Sequence, residues 1–448
     1  MTSLKKLAVN SAIWTLAGYG TGQIIRFGSN LILTRLLVPE YFGIMAVLNT
    51  LRLGLELFSD IGIGQSIIQN KRGGEAAFLK TAWTLQVIRG GGLWLMCCLL
   101  AWPASLVYGQ QFLWLVPVIG LVSLIDGFGT VSIHTLHRDL ALDKYTLFDL
   151  LTQTLGVLSI VLLALWWPNL WALVIGGVLG SLLRLLAGHL LFPSPNNRFA
   201  WDQSCFQEIY AFGKWLFAAT ALMFLADQSD RLILGKLFSF QMLGIYSIAY
   251  TLANMPREVI KTLGYRVIFT TISKQADLPR SQLRDKIVRQ RLRLLLLLAA
   301  GLAVLTCIGD QVIDFLYDER YEPATWMMPI LCLGIWFSIL FNTISPALLA
   351  VGKPLYSAQS NLARLMLILI GLPLGFHLGG VLGAVIAISF SDLFPYMVVL
   401  YGLWREKLLC IIQDLQTTAV FVGVLTILLT LRYHLGWGTP IDFLLTGS

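Results

Sequence analysis

Apolar runs about as long as a bilayer is thick follow one another along the chain, separated by short polar breaks. They fall near residues 10–33, 42–66, 82–107, 112–133, 145–166, 170–192, 211–235, 242–268, 294–317, 326–350, 355–377, 381–403 and 415–432. At 1.5 Å rise per residue, about 20 residues cross roughly 30 Å of hydrocarbon. In lipid a helix satisfies its own backbone groups, so the pattern predicts thirteen transmembrane helices. The breaks are too short for a folded extramembrane domain, which needs about 50 residues or more.

Composition agrees with the pattern. Of 448 residues, 57% are hydrophobic and 12% charged, and the mean hydropathy is +0.75; soluble domains carry about 25% charged residues. The first run, "NSAIWTLAGYGTGQII", lacks a small-residue cleavage site and outlasts a signal-peptide core, so it is expected to remain as the first span. The six cysteines show no metal spacing, and His134 and His137 beside Arg138 fit an interfacial helix end better than a ligand pair.

Charge sets the expected orientation. With a cytoplasmic N-terminus, eighteen Lys and Arg fall in cytoplasmic segments, Lys71, Arg72, Arg138 and Lys353 among them, against four outside: Arg35, Lys236, Arg320 and Arg432. That is the positive-inside asymmetry of a membrane protein. The net charge of +8 therefore needs no nucleic acid partner, and the cluster "RDKIVRQRLR" (284–293) reads as a belt for anionic membrane lipids.

The chain also repeats itself. An offset of 201 residues sets "LILTRLLVPEYFGIMAVLNTL" (31–51) on "LILGKLFSFQMLGIYSIAYTL" (232–252), with eight of 21 positions identical and Trp14 on Trp215. Six spans separate the copies, so both halves share one orientation, as in parallel repeats. The expected division is a six-helix lobe over 1–200, a second over 201–405, and a further helix and tail over 406–448.

Charges lie inside the apolar runs: Arg26, Arg52, Glu56, Asp60, Arg89, Asp126, Arg184, Lys214, Asp227, Asp230, Arg231, Arg257, Lys261, Arg364 and Asp392. Each costs about 2.5–3.5 kcal/mol at mid-bilayer on insertion scales and needs a partner or a wet cavity. Asp227 and Arg231 stand at i,i+4 in the order that favours a local ion pair, and Arg52, Glu56 and Asp60 form one stripe at fourfold spacing on the second helix. Helix-to-helix gluing accounts for single residues of this set, and snorkelling accounts for Lys214 and Arg184 near span ends. Their concentration on spans 1, 2, 7 and 8 favours a water-filled cavity between the lobes. Under the repeat offset Arg26 matches Asp227, Glu56 matches Arg257 and Asp60 matches Lys261, opposite signs at equivalent places.

The stretches "LLVPEYFGIMAVLNT" (36–50), "FSDIGIGQSIIQ" (58–69), "YAFGKWLFA" (210–218), "GIYSIAYTLANMP" (244–256) and "LLAVGKP" (348–354) resemble the bacterial polysaccharide (Wzx-type) flippases of the multidrug/oligosaccharidyl-lipid/polysaccharide exporter superfamily. The resemblance implies an all-α polytopic membrane protein, two pseudo-symmetric six-helix bundles in a V plus one or two C-terminal helices. It also implies transport of undecaprenyl-pyrophosphate-linked oligosaccharide across the bacterial inner membrane by alternating access. A polysaccharide polymerase machinery is then a candidate partner. Guanidinium and ammonium groups suit a pyrophosphate, which makes Arg26, Arg89, Lys214, Arg231 and Arg364 candidate headgroup contacts.

The remaining pairs suggest coupling or gating. Glu56 and Asp60 lie at a depth similar to Arg257 and Lys261, a latch on the cytoplasmic side, while Asp227 and Asp230 face the other half. Coupling requires no cofactor beyond a proton or sodium ion, and the membrane potential acting on a dianionic substrate needs neither. The main competing class is a cation-coupled multidrug exporter of the same superfamily, whose cavity should be dominated by acids. An enzyme would need a sizeable extracytoplasmic loop, and the longest on that side is "DERYEPAT" (318–325).

Overall fold

Helix boundaries in this chain follow from local chemistry: a proline at the first helical position of one helix, a side-chain cap at another, glycines where direction changes. The computed structural model describes the backbone of residues 2–263, 270–273 and 278–442, and their side chains apart from 2–12, 16, 212–219, 259, 262, 263, 270 and 271. Among these residues there is no strand. The chain divides into two units, Met1–Phe224 and Leu225–Ser448.

The first unit holds α1 (Thr2–Leu36), α2 (Pro39–Phe58), α3 (Ile63–Gln69), α4 (Ala76–Tyr108), α5 (Phe112–Gly127), α6 (Ser132–Arg138), α7 (Leu142–Trp166), α8 (Leu170–Leu191) and the start of α9 (Gln203–Leu237). The single helix expected over 42–66 is two: α2 stops at Phe58, and α3 begins after Gly62, whose φ of 64° and ψ of 36° lie in the left-handed region that favours glycine. The span expected over 112–133 is likewise broken, α5 and α6 meeting at a bend of 61°. Asn169 caps α8, its side-chain oxygen accepting from the Trp171 and Ala172 amides at 2.8 and 3.3 Å.

Small residues let helices approach closely where lipid provides no hydrophobic drive between them. A Cβ added to Gly90 of α4 would lie 2.8 Å from the Ser123 carbonyl oxygen and 2.9 Å from the Gly127 Cα of α5. One core cluster joins Ile67, Phe78, Ala82 and Val131 to Cys205 and Ile209, which fastens the start of α9 to α3 and α4.

The second unit holds the rest of α9, then α10 (Phe240–Leu263), α11 (Thr270–Ser273), α12 (Arg280–Leu316), α13 (Ala324–Ala350), α14 (Leu355–Ser389), α15 (Leu393–Arg405) and α16 (Ile411–His434). Its axis is α13, packed by α10, α12, α14 and α15, with 72% of its most apolar window buried. Within α14 the chain kinks at Gly379 and Gly380, the latter at φ 57° and ψ −139°, between the two runs expected over 355–377 and 381–403. Gly375 and Gly383 meet across the kink, where a Cβ on Gly383 would strike the Gly375 carbonyl. The outermost helix, α16, lies along α12 and is held by two buried ion pairs, Arg291 with Asp414 and Arg432 with Asp310.

The repeat is visible in the helices themselves. α1 and α9 are both 35 residues long, and Thr2 to Gln203 and Leu36 to Leu237 are each a step of 201. Among the described residues eight helical segments are long and apolar enough to cross a membrane, or nine if α5 and α6 form one span. The related helices α1, α9 and α10, which bear many of the intramembrane charges, are not among the eight.

Candidate functional site

A broken helix in a membrane frees carbonyls that must find donors. In the first unit both breaks draw them from one turn of α4. Arg89 donates through Nη2 to the Glu56 carbonyl at 2.6 Å and through Nε to the Ser59 carbonyl and hydroxyl at 3.0 and 3.1 Å, closing the end of α2. Gln86 Nε2 faces the Asp126, Gly127 and Gly129 carbonyls at 3.2, 3.2 and 3.1 Å, closing the end of α5. The near contact of Gly90 with Gly127 brings α4 close enough for this.

With the donors of α4 turned to backbone, acids line the adjoining cavity. It has a volume of about 550 Å³ and is bounded by Glu56, Asp60, Gln86, Asp126, His134 and His137 among others. Glu56 Oε1 accepts from Arg52 at 2.5 Å and from the Ser123 hydroxyl at 2.7 Å. Asp126 Oδ1 accepts from the Ser181 hydroxyl at 2.7 Å, and Asp60 Oδ1 from the Gly62 amide at 3.0 Å. Asp60 thus lies beyond the end of α2 and shapes the break, so the continuous Arg52, Glu56, Asp60 stripe expected from spacing stops at Glu56.

In the second unit five charges alternate in sign along a chain of contacts. Arg257 reaches Asp392 at 3.3 Å, Asp392 reaches Arg364 at 3.5 Å, Arg364 reaches Asp227 at 2.5 Å, and Asp227 reaches Lys261 at 3.5 Å. The chain joins α9, α10, α14 and the 3-10 turn Phe390–Asp392, and three cations against two acids leave it with one positive charge. Arg364, Asp392 and Arg257 are 8%, 5% and 9% exposed. Beside it, Asp230 is buried with the Tyr246 hydroxyl 3.5 Å from one oxygen, and its other oxygen has no hydrogen-bond partner among the described residues.

The ion-pair partners of Asp227 are therefore Arg364 and Lys261, whereas Arg231 donates to Gln228 Oε1 at 3.0 Å and lies 5.8 Å from the Tyr250 ring centroid. Of the candidate pyrophosphate contacts, Arg231 and Arg364 fall in the second unit. Arg89 falls in the first, engaged with backbone, and Arg26 is exposed on α1 with Nε 3.4 Å from the Gly22 carbonyl. The side chain of Lys214 is outside the described residues. Glu56, Asp60, Arg257 and Lys261 each have a partner within their own unit. Gln86 is uncharged and gives no signal to a search for buried charge, and Asp392 stands among the charges of the apolar runs with no partner that spacing could name.

Outside the spans, Arg72 binds Glu208 at 2.9 Å and Glu75 at 3.0 Å, and Asn70 donates to Glu208 at 2.7 Å, tying the α3–α4 turn to α9. The hydrogen bonds from Asn70 and Arg72 hold the Glu208 carboxyl below its ordinary range.

Comparison with known proteins accords with this architecture. A family described as "Polysaccharide biosynthesis protein" matches residues 32–325. The lipopolysaccharide biosynthesis protein WzxC of Escherichia coli (strain K12) is 21% identical over 85% of this chain and 77% of its own. The teichuronic acid biosynthesis protein TuaB of Bacillus subtilis (strain 168) is 21% identical over 79% of this chain and 73% of its own. Among solved structures, the lipid II flippase MurJ in an inward closed conformation superposes with a TM-score of 0.72 at 12% identity, over 94% of this chain and 93% of that one. An inward-facing multidrug resistance MATE family transporter of the MOP superfamily gives a TM-score of 0.64 at 12% identity, over 89% and 95%. This multi-pass membrane chain, with a fold like that of MurJ and the MATE transporters, belongs to the polysaccharide biosynthesis protein family.

Proposed function

We propose that the protein is a flippase that moves undecaprenyl-pyrophosphate-linked oligosaccharide across the bacterial inner membrane by alternating access, with its N-terminus in the cytoplasm. The observation that carries this reading, beyond family membership, is the alternating chain in the second unit: its buried acids are outnumbered by cations, and its centre is an arginine. A guanidinium binds a phosphate through two parallel hydrogen bonds. In this reading the pyrophosphate takes the place of Asp227 on Arg364, with Arg231 as a second contact and Arg26, Arg89 and Lys214 as further cations along the path. Asp227, Asp230, Glu56, Asp60, Arg257 and Lys261 then serve coupling or gating, as acids and bases that gain or lose partners when the substrate arrives.

A second reading, export of organic cations, is favoured by the acid-lined cavity of the first unit. Proteoliposomes separate the two. Externally quenchable fluorescent undecaprenyl-pyrophosphate-linked oligosaccharide should become protected or exposed at a rate that depends on the protein, with no protein-dependent efflux of ethidium. Ethidium efflux without lipid movement would reverse the assignment.

A further inference from the structure

We infer that Gln153 of α7 is a positioning residue for Arg26 of α1, and that it holds the guanidinium at mid-membrane with its fork open to a phosphate group of the transported lipid. The inference rests on the flippase reading above and deepens one part of it, the place of Arg26 along the path. Both residues belong to the first unit, and their side chains converge on a single carbonyl: Gln153 Nε2 donates to that of Gly22 at 2.9 Å and Arg26 Nε at 3.4 Å. Gly22 lies well inside α1, where carbonyls already accept helical amides, so neither donor is needed to satisfy it. Their effect falls on the guanidinium instead. With Nε tied down, Arg26 Nη1 and Nη2 have no hydrogen-bond partner among the described residues, whereas Arg89, Arg231 and Arg364 each commit an Nη.

Gly22 makes room for this arrangement. A Cβ there would lie 2.9 Å from Gln153 Oε1 and 3.8 Å from Arg26 Nη2, so the amide and the guanidinium share the space beside the missing side chain. Nor does Arg26 snorkel. It stands seven residues from the near end of the apolar run 10–33, yet its side chain turns back to Gly22, twelve residues from one end of the run and eleven from the other. An exposed charge at that depth is unfavourable in lipid, so this flank of α1 faces water. Tyr19 and Gln23 extend the flank: both are exposed, Gln23 Nε2 donates to the Tyr19 hydroxyl at 3.0 Å, and at helical pitch the three residues fall within about 60° of one another. Arg26 has no ion-pair partner among the described residues. A free guanidinium on a wet face grips two oxygens of a phosphate at once.

The test uses the full chain in nanodiscs and compares binding of undecaprenyl pyrophosphate with that of undecaprenol, the same chain without phosphate. The wild type should prefer the pyrophosphate. Gln153→Leu should cut that preference about fivefold, the effect of one lost hydrogen bond, while in an Arg26→Ala background the same substitution should change nothing. Gly22→Ala, which pushes the Gln153 amide aside, should act as Gln153→Leu does. Unchanged undecaprenol binding shows that each variant is folded. If Gln153→Leu leaves the preference intact, lowers it equally with and without Arg26, or lowers undecaprenol binding as much, Gln153 only packs α7 on α1 and positions nothing. Inorganic pyrophosphate that displaces the lipid at the lipid's own concentration would assign the fork to a soluble anion instead. A wild type that binds undecaprenyl pyrophosphate no better than undecaprenol would remove the flippase reading itself.

Discussion

Gln86 and Arg89 stand one turn apart on α4 and close the ends of two different helices, Gln86 that of α5 and Arg89 that of α2. The Glu56 and Asp126 carbonyls also accept from the Ser59 and Gly129 amides, whereas those of Ser59, Gly127 and Gly129 have no other donor among the described residues. Leaving a buried polar group without a partner costs about 1–3 kcal/mol, so Gln86→Leu should lower the thermal unfolding midpoint of the purified protein by a matching amount. Arg89→Ala should do at least as much. Arg89→Lys should fall between, since one ammonium cannot reach as the guanidinium fork does. Unchanged midpoints, read by tryptophan fluorescence, would mean that these carbonyls are satisfied elsewhere.

The alternating chain makes a graded prediction. Arg364 is buried between two acids, and removing one partner of a buried pair costs about 3–5 kcal/mol. Lys261 at the chain's end is half-exposed, a setting in which ion pairs contribute at most about 1 kcal/mol. Arg364→Ala should therefore reduce the amount of folded protein in the membrane sharply and Lys261→Ala barely. Equal effects of the two, measured by fluorescence-detected gel filtration, would contradict the burial argument.

Much of this architecture was legible in the chain. Most of the thirteen apolar runs lie on helices over their described residues, those over 42–66 and 112–133 being interrupted, and the 201-residue offset reappears as equal bounds of α1 and α9. The break at Ser59 was not legible, because Arg52, Glu56 and Asp60 keep helical spacing across it; only "DIGIG", with two glycines around an isoleucine, hints at a turn. The partners of Asp227 were not legible either. Its acid-first spacing to Arg231 is a good local pair, yet Arg364, 137 residues on, is brought within 2.5 Å by packing that no local pattern encodes. Periodicity reports which face a residue occupies, while tertiary packing decides whom it meets.

Acid should loosen the turn between α3 and α4. The folded Glu208 carboxyl is depressed by Asn70 and Arg72, so its contribution to stability is complete above the ordinary glutamate pKa of 4.5 and is lost as pH falls through the lower folded value. The protection of the 70–75 segment against hydrogen exchange, taken relative to the intrinsic rate at each pH, should fall on acidification below that point in the wild type. Glu208→Gln should exchange faster at neutral pH and show a smaller acid response. An identical pH profile in the two proteins would show that the carboxylate does not tether the turn.

At the kink in α14, Gly380 adopts φ 57° and ψ −139°, a conformation that costs other residues about 1–3 kcal/mol. Gly380→Ala should lower stability within that range. Gly383→Val should do more, because its side chain would meet the Gly375 carbonyl. If Gly380→Ala unfolds at the wild-type temperature, the backbone at the kink is not held as described.

The two ion pairs between α12 and α16 have a mechanical meaning. They lie nineteen positions apart on α12 (291 to 310) and eighteen apart on α16 (414 to 432), a separation of about 28 Å at helical rise. A slide of α16 by one turn, about 5.4 Å, would break both at once, and so would a roll about its own axis. The two helices therefore behave as one beam bolted at both ends. In the alternating-access cycle proposed above, whatever tilts α12 would swing α16 with it, and the exposed flank of Ile412, Leu415 and Ile427 would displace acyl chains each time. The stiffness of the surrounding bilayer, as much as any charge inside the protein, then enters the rate of the cycle.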